Sequence, residues 1–479
     1  MITFIVGLVV LIIGGIIYGR IAEKIFKPTD DETPAIAQQD GIDFVPMSKW
    51  KNSLIELLNI AGTGPILGPL QGILFGPIAF ITIPIGCVIG GAFHDYMSGM
   101  ISVRSKGAQM PELIRRFLGK HLHVLYLVFV SLLLLLLGAV FIYTPGDLFV
   151  TQILNQDSSS TNPIVWVVYG SIFLYYIIAT LFPIDKIIGK VYPIFGAILL
   201  LSAVGVFIGI FVKGYSLVEI WDAAAAGYPF KTNFIPIFFV TVACGICSGF
   251  HSTQATLVSR TIKNEHEGRF TFYDMMILEG FIAMIWAAAG MGVIQAGLTD
   301  PETLGTQATT VVGIVAKDML GGAGGIVAII GVIVLPITSG DTALRSLRLM
   351  IGDAFKLDQT KKKNALRLAL CIFAVVAGAL IWAKINPSGF NILWQYFAWA
   401  NEVIAVFAFG VIARYMKKHK MPYIMAVIPG AFYMYVTTSY ILNAHIGFNL
   451  PWMAAYIIAG VLAVIYSIEI MIRKPKIIE

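Results

Sequence analysis

The residues best suited to chemistry in this chain are ionisable side chains set inside apolar runs: His94, Asp95, His251, Glu279, Asp341 and Glu402. A charge at bilayer depth is costly, so each marks a candidate functional site. A carboxyl group or imidazole in low dielectric can take up or give up a proton, and a carboxylate can hold a cation. Each also has a plainer reading. Asp341 lies four residues before Arg345 and could pair with it on one helix face. Glu279 and Glu402 could be neutral hydrogen-bonding struts, and His94 a packed core histidine. His94 and Asp95 are chain neighbours, so on a helix they are expected to face different ways rather than act together on one ligand atom. Cys244, Cys247 and His251 fall at i, i+3 and i+7, one face of an unbroken helix carrying metal-ligand types. Thiols in apolar spans usually serve packing, and no metal is assigned.

The backbone offers a second kind of chemistry. Asn59-Ile-Ala-Gly-Thr-Gly-Pro-Ile-Leu-Gly-Pro69 gathers three glycines and two prolines inside one apolar run. Ala243-Cys-Gly-Ile-Cys-Ser-Gly-Phe-His251 is loosened by Gly245, Ser248 and Gly249. Glycine and proline weaken a helix, and a broken backbone at membrane depth survives only where it is buried or lines a cavity. The second half of each broken helix is expected to start at Gly64-Pro65 and at Gly249-Phe250. Such a start presents unpaired N–H groups and a positive dipole end, which suit a carboxylate. The candidate substrate site is therefore Gly62, Thr63, Gly64 and Pro65 together with Ser248, Gly249 and His251. The plainer alternative is close helix packing through small residues.

Spanning helices must position these groups. The 479 residues are 58% hydrophobic and 13% charged, against about 25% charged in a soluble domain. So few charges cannot cover a water-facing surface of this size. Runs of about 20 apolar residues, the length that crosses a bilayer, recur along the chain. The sequence predicts an all-α polytopic membrane protein with thirteen spans, at 2–24, 53–77, 78–103, 122–145, 163–183, 190–212, 233–258, 271–296, 322–345, 364–384, 389–413, 421–443 and 450–472. With alternate sides assigned, all but four of the 33 Lys and Arg residues fall on one side. The four are Lys213, Lys231, Lys317 and Lys384. That bias predicts an outside N-terminus and a cytoplasmic C-terminus, so the net charge of +6 sets topology rather than nucleic-acid binding. The first run is expected to be a retained span, with no basic residue before it and no clear small-residue cleavage site after it.

The two interrupted spans lie five spans apart and so run in opposite directions. Paired interruptions of this kind point to an inverted-repeat transporter. The expected organisation is an N-terminal helix and cytoplasmic linker (1–52), a five-helix repeat (53–212), a second, inverted five-helix repeat (213–413), and two C-terminal helices with a tail (414–479).

These motifs together resemble the carbon starvation protein A family of bacterial transporters, from about residue 50 to 410. The pieces that carry the resemblance are Ala61 to Pro69, Gly91-Ala-Phe-His-Asp95 with Ser102-Val-Arg104 and Gly107, and Ser248 to His251. Glu279 with Gly280, Thr338-Ser-Gly-Asp-Thr-Ala-Leu-Arg345, and Leu393-Trp-Gln with Asn401 complete the set. The resemblance implies uptake of peptides, and in related members pyruvate, during carbon limitation. It also implies a fold near the amino acid–polyamine–organocation superfamily. By that analogy Thr338 and Ser339 resemble a sodium position facing the first broken helix, and proton coupling through Asp341, Glu279 or Glu402 is the rival. Where the family often shows a Ser-Gly-Thr-Thr-Pro-Lys type stretch after the histidine, this chain has Ala255-Thr-Leu-Val-Ser-Arg260. Where the family commonly has Asn-Gln, it has Asn401-Glu402.

The function expected is a secondary active importer in the bacterial inner membrane, with small peptide or pyruvate as substrate, lipid as its surroundings and proton or sodium as coupling ion. His94, Asp95, Glu279, Thr338, Ser339, Asp341, Asn401 and Glu402 are the candidate coupling residues. No cofactor is expected, and no Walker-type phosphate loop is present to make ATP the drive. A passive channel, a membrane enzyme and a nutrient sensor are the rivals from other classes. No nucleophile–base pair favours the enzyme.

Overall fold

The computed structural model describes residues 1–472 apart from 42, 182–184, 229–232, 356 and 358–361. Side chains at 180–193, 195, 338, 353, 354 and 362 also lie outside the description. Among the described residues every regular element is helical. In chain order these are α1 (Ile2–Phe26), α2 (Pro34–Ala37), α3 (Lys49–Ile60), α4 (Gly64–Gly72), α5 (Ala79–Gly86), α6 (Ala92–Arg104) and α7 (Met110–Leu118). Then come α8 (Lys120–Leu148), α9 (Pro163–Leu181), α10 (Asp185–Val212), α11 (Phe234–Thr241), α12 (Ala243–Ile246), α13 (Gly249–Val258) and α14 (Asp274–Gln295). The last are α15 (Pro301–Thr306), α16 (Ala308–Ala354), α17 (Lys362–Ile385), α18 (Gly389–Lys418), α19 (Ile424–Asn443) and α20 (Trp452–Ile472).

Nine helical stretches among the described residues are long and apolar enough to cross a membrane, ten if α3 and α4, bent by 49°, form one span. Of the other expected segments two are the broken ones, α3–α4 and α11–α13. The remaining two, at 163–183 and 190–212, run into residues that lie outside the description, and their described apolar parts are Pro163–Ala179 and Gly196–Val212. A break divides the unbroken length on which any such count rests.

The helices divide by what surrounds them. α1 and α20 expose rows of large apolar side chains, such as Val6, Val9, Ile13 and Ile17, and Ile457, Val461, Val464 and Ile468. In water such rows would be unfavourable, whereas facing lipid they cost nothing. α14 and α18 are buried on nearly all sides, α18 at every residue from Phe397 to Met416. Glu279 and Glu402 ride on these two central helices. A π-type turn at Cys87–Gly91 joins α5 to α6 and sets the direction of the turn bearing His94 and Asp95. Such single-turn bulges are frequent at functional sites.

Ion pairs tie down the end of the molecule at which α3 begins. Arg104 binds Glu265 at 2.8 and 3.0 Å and caps the carbonyl of Lys27 at 2.7 Å. Arg269 binds Glu23 at 3.0 Å. These bonds fasten the end of α1 and the residue after it to the end of α6 and to the stretch between α13 and α14.

Candidate functional site

The two interrupted stretches cross at their breaks. α4 starts at Gly64 and α13 at Gly249, the two starts the sequence predicts. Gly64 lies directly against the second stretch: a Cβ there would stand 2.4 Å from the Cβ of Cys244 and 2.6 Å from its sulfur. Pro65 occupies the first turn of α4, where its missing N–H is no loss. Gly62 has more room, since an added Cβ would meet only the Cζ of Phe141, at 3.6 Å. The hydroxyl of Thr63 is buried and has no hydrogen-bond partner among the described residues.

The second break is closed from the side by Asn401 of α18. Its Oδ1 accepts from the backbone N–H of Phe250 at 2.7 Å, and its Nδ2 donates to the Ser248 hydroxyl at 2.9 Å and to the Cys244 sulfur at 3.6 Å. Gly249 permits this contact, because a Cβ there would fall 2.3 Å from the Asn401 carbonyl oxygen and 2.4 Å from the Ala405 nitrogen. Cys247 is extended, with ψ of 120°, so Cys244, Cys247 and His251 do not share a helix face. No group of three or more His, Cys, Asp or Glu among the described residues is placed to hold a metal ion.

Beside the second break runs a buried chain of titratable groups. His94 Nδ1 lies 2.7 Å from Asp95 Oδ1, and His251 Nδ1 lies 3.0 Å from Asp95 Oδ2. His251 Nε2 lies 3.5 Å from Glu279 Oε2. All four side chains are essentially inaccessible. His94 and Asp95 bond to each other although they are chain neighbours, because the short carboxylate at the start of α6 reaches back to the ring beside it. A carboxylate that accepts from two imidazoles fixes both in the tautomer with hydrogen on Nδ1. The Nε2 of His251 then faces Glu279 as an acceptor.

The remaining candidates separate. Glu402 is wholly buried, and neither carboxyl oxygen has a partner among the described residues. Asp341 accepts from the Tyr175 hydroxyl at 2.8 Å and from Thr342 at 2.9 Å, while Arg345 donates to the Ala179 carbonyl at 2.7 Å. These bonds hold α16 against α9. The Thr338 side chain lies outside the described residues. The Ser339 hydroxyl is buried without a partner among them and lines a cavity with Asn59 of α3.

That cavity, of about 510 Å³, is bounded by Asn59 of α3, Phe250 and Gln254 of α13, Tyr126 of α8, and Ser339 and Arg345 of α16. A second cavity, of about 770 Å³, is bounded by Gln71 of α4, Thr241 of α11, Asp300 and Glu302 at α15, and Asn391 and Gln395 of α18. The first touches the halves of the broken helices on one side of the breaks, and the second touches the halves on the other. Between them Trp394 packs against Gly68 and points its Nε1 at the Thr241 carbonyl, 3.4 Å away.

Two buried groups stand outside the candidates that the sequence offers. Glu56 of α3 is fully buried with neither carboxyl oxygen partnered among the described residues. A lone carboxylate within Leu54–Ile60 was the available signal, masked by its nearness to the basic end of the span. Asp147 and Lys384 form an interior ion pair at 2.7 and 2.8 Å, with Lys384 over the Tyr143 ring at 4.5 Å. Two residues from separate helices, 237 apart in the chain, give no local pattern to find.

Comparisons with known proteins agree with this architecture. The family described as Carbon starvation protein CstA matches residues 1–182, 146–319 and 298–440. An uncharacterized membrane protein of Haemophilus influenzae is 41% identical over 336 residues, spanning 61% of this chain and 91% of that one. The peptide transporter CstA of Bacillus subtilis is 26% identical over 541 residues, spanning 92% and 90%. The pyruvate/proton symporter BtsT of Escherichia coli is 23% identical over 350 residues, spanning 60% and 48%. Among solved structures, the Eremococcus coleocola manganese transporter superposes with a TM-score of 0.58 at 9% identity, over 90% of this chain and 96% of that one. With its motifs, its interrupted helices and these matches together, the chain belongs to the carbon starvation protein CstA family of membrane transporters.

Proposed function

We propose that this protein is a proton-coupled importer of small peptides, working by alternating access in the bacterial inner membrane and used when carbon is limiting. One observation carries the reading: two cavities approach the same pair of broken helices from opposite sides. A site reached from each side in turn is what alternating access requires, and broken helices at a repeat interface are where such sites lie. The proposal includes thirteen spans, repeats at 53–212 and 213–413 with flanking helices at 1–52 and 414–479, an outside N-terminus and a cytoplasmic C-terminus.

In this scheme a substrate carboxylate binds at Gly62, Thr63, Gly64 and Pro65, where the start of α4 offers its N–H groups and Thr63 an unused hydroxyl. Ser248, Gly249 and His251 form the facing wall. Glu279 carries the proton. When it passes that proton to Nε2 of His251, the imidazolium lies between two carboxylates, with Asp95 on its far side and Asp95 in turn held by His94. Charge thus moves within a dry, preorganised site. Asn401 keeps α13 in register, and Asp341 steadies α16. A sodium ion at Thr338 and Ser339 is the rival drive, favoured by the Ser339 hydroxyl, which has no partner among the described residues. Pyruvate is the rival substrate, favoured by the similarity to BtsT.

Purified protein in liposomes tests the reading. Labelled di- and tripeptides should accumulate above equilibrium under an inward proton gradient and collapse on adding a protonophore. Accumulation of pyruvate alone would move the substrate assignment. Accumulation under a sodium gradient alone would move the coupling ion, and mere equilibration would make the protein a channel.

A further inference from the structure

Glu56 has no part in the scheme above, yet it shares the setting of Glu279 and Glu402, whose carboxyl oxygens are likewise buried without a hydrogen-bond partner among the described residues. It sits on α3, the first half of the first broken helix, and is 0% exposed. Neither carboxyl oxygen has a hydrogen-bond partner among the described residues. Natural interiors rarely leave an acidic side chain in this state, because an ionised carboxylate needs donors or a cation and a neutral one wants at least one bond. A glutamine or leucine would satisfy a purely structural site at lower cost. An acid kept in such a place is one whose charge changes.

Its neighbours say with what. The helix that bears Glu56 packs against α13 and α14, which carry His251 and Glu279. Glu56 is thus the group beside the buried chain that the chain does not itself bond. On α13, which packs against α3, the titratable group is His251, already held by Asp95 and Glu279. On α14 it is Glu279, with Asp274 one and a half turns nearer the helix start, paired to Arg269 at 3.7 Å. Where α10 meets α3, Gly196 touches Leu54 and Leu58, both apolar.

Along α3, Glu56 lies between a cavity-lining residue and the polar end of the helix. One turn toward the break, Asn59 lines the 510 Å³ cavity. One turn the other way, the Ser53 hydroxyl meets the Thr271 hydroxyl at 3.2 Å, and beyond Thr271 come Arg269, Glu23 and Asp274 near the surface. A helical side chain leans toward the start of its own helix, which carries the Glu56 carboxyl toward this end.

We propose that Glu56 is a proton-binding station, the step between Glu279 and water at the Lys49 end of the molecule. The inference rests on the proton-coupled reading. In the step, the O–H bond of neutral Glu279 breaks, and its proton bonds to a carboxylate oxygen of Glu56. Glu279 is left anionic, and the proton later leaves Glu56 for water. Since α3 is one half of a broken helix, movement of that half alters the distance between the two carboxyls. Proton release is thereby tied to the change of access.

Two measurements on the full chain in liposomes test this. Glu56→Gln keeps shape and removes the proton site. Its proton-driven peptide accumulation should fall at least tenfold, while peptide–peptide exchange, which moves no net proton, stays within about twofold of wild type. Glu56→Asp should recover part of the accumulation. Wild-type accumulation in Glu56→Gln overturns the inference, and so does loss of both modes in both variants, which marks a structural role. Independently of any transport, infrared difference spectra between pH steps should contain a carboxylic-acid carbonyl band that disappears in Glu56→Gln. A band absent from wild type also overturns the inference. Failure of wild type to accumulate peptide under a proton gradient, with that band present, overturns the functional reading and leaves Glu56 a titrating group.

Discussion

The two breaks in this molecule look alike in sequence and are finished differently. At the second, Asn401 supplies acceptor and donor to Phe250 and Ser248, and Gly249 is pressed against the backbone of α18. At the first, Thr63 precedes α4 with no side-chain cap, its hydroxyl is unpartnered among the described residues, and Gly62 has space before Phe141. A closed break is a fixed wall. An open one is a place left for something else to bind. Under the proposed function the second break would then be the frame and the first the place where substrate binds, although both begin from glycine.

The sharpest way to break the comparison is Gly249→Ala. Its methyl would overlap Asn401 and Ala405 backbone atoms, which cannot swing aside as a side chain can. Overpacking of this kind costs about 3 kcal/mol, so the variant should lose most of its folded yield in detergent. Normal yield and melting would make the second break as loose as the first. Asn401→Ala should come next. It leaves the Phe250 N–H and the Ser248 hydroxyl without their partner, a loss of about 1–3 kcal/mol, read as a lower melting temperature together with slower uptake.

At the first break the expected signs change. Gly62→Ala should fold normally, because 3.6 Å is an ordinary contact, but its methyl would occupy the proposed binding space. Peptide KM should rise at least tenfold with melting unchanged. Thr63→Val should have the smallest effect on the fold. Removing a buried hydroxyl that lacks a partner among the described residues should leave stability equal or raise it by about 1 kcal/mol, while binding weakens a few-fold. If Thr63→Val destabilises as Asn401→Ala does, the first break is closed by a bond of its own and the contrast fails.

Much of the site was legible in the residues. Gly64 and Gly249 were expected as helix starts because glycine and proline mark a backbone that cannot stay helical, and α4 and α13 begin there. His251 and Glu279 were singled out because charge is rare in apolar runs, and they meet at 3.5 Å. The same rule applied to Glu56, whose position near the basic end of its span hid it. His94 and Asp95 were expected to diverge from helix geometry alone. They bond because side-chain reach, which spacing does not describe, brought the carboxylate back to the ring.

By itself the sequence determined that this is a membrane protein of many helices with two interrupted ones. Hydrophobicity and backbone freedom are properties of each residue and need no neighbour to express them. Tertiary structure decided which polar groups share a site. Asn401 reaches Ser248 across 153 positions, and Asp95 reaches His251 across 156. Such pairings depend on how separate helices pack, and packing is settled by contacts over the whole buried surface rather than by any one stretch of chain.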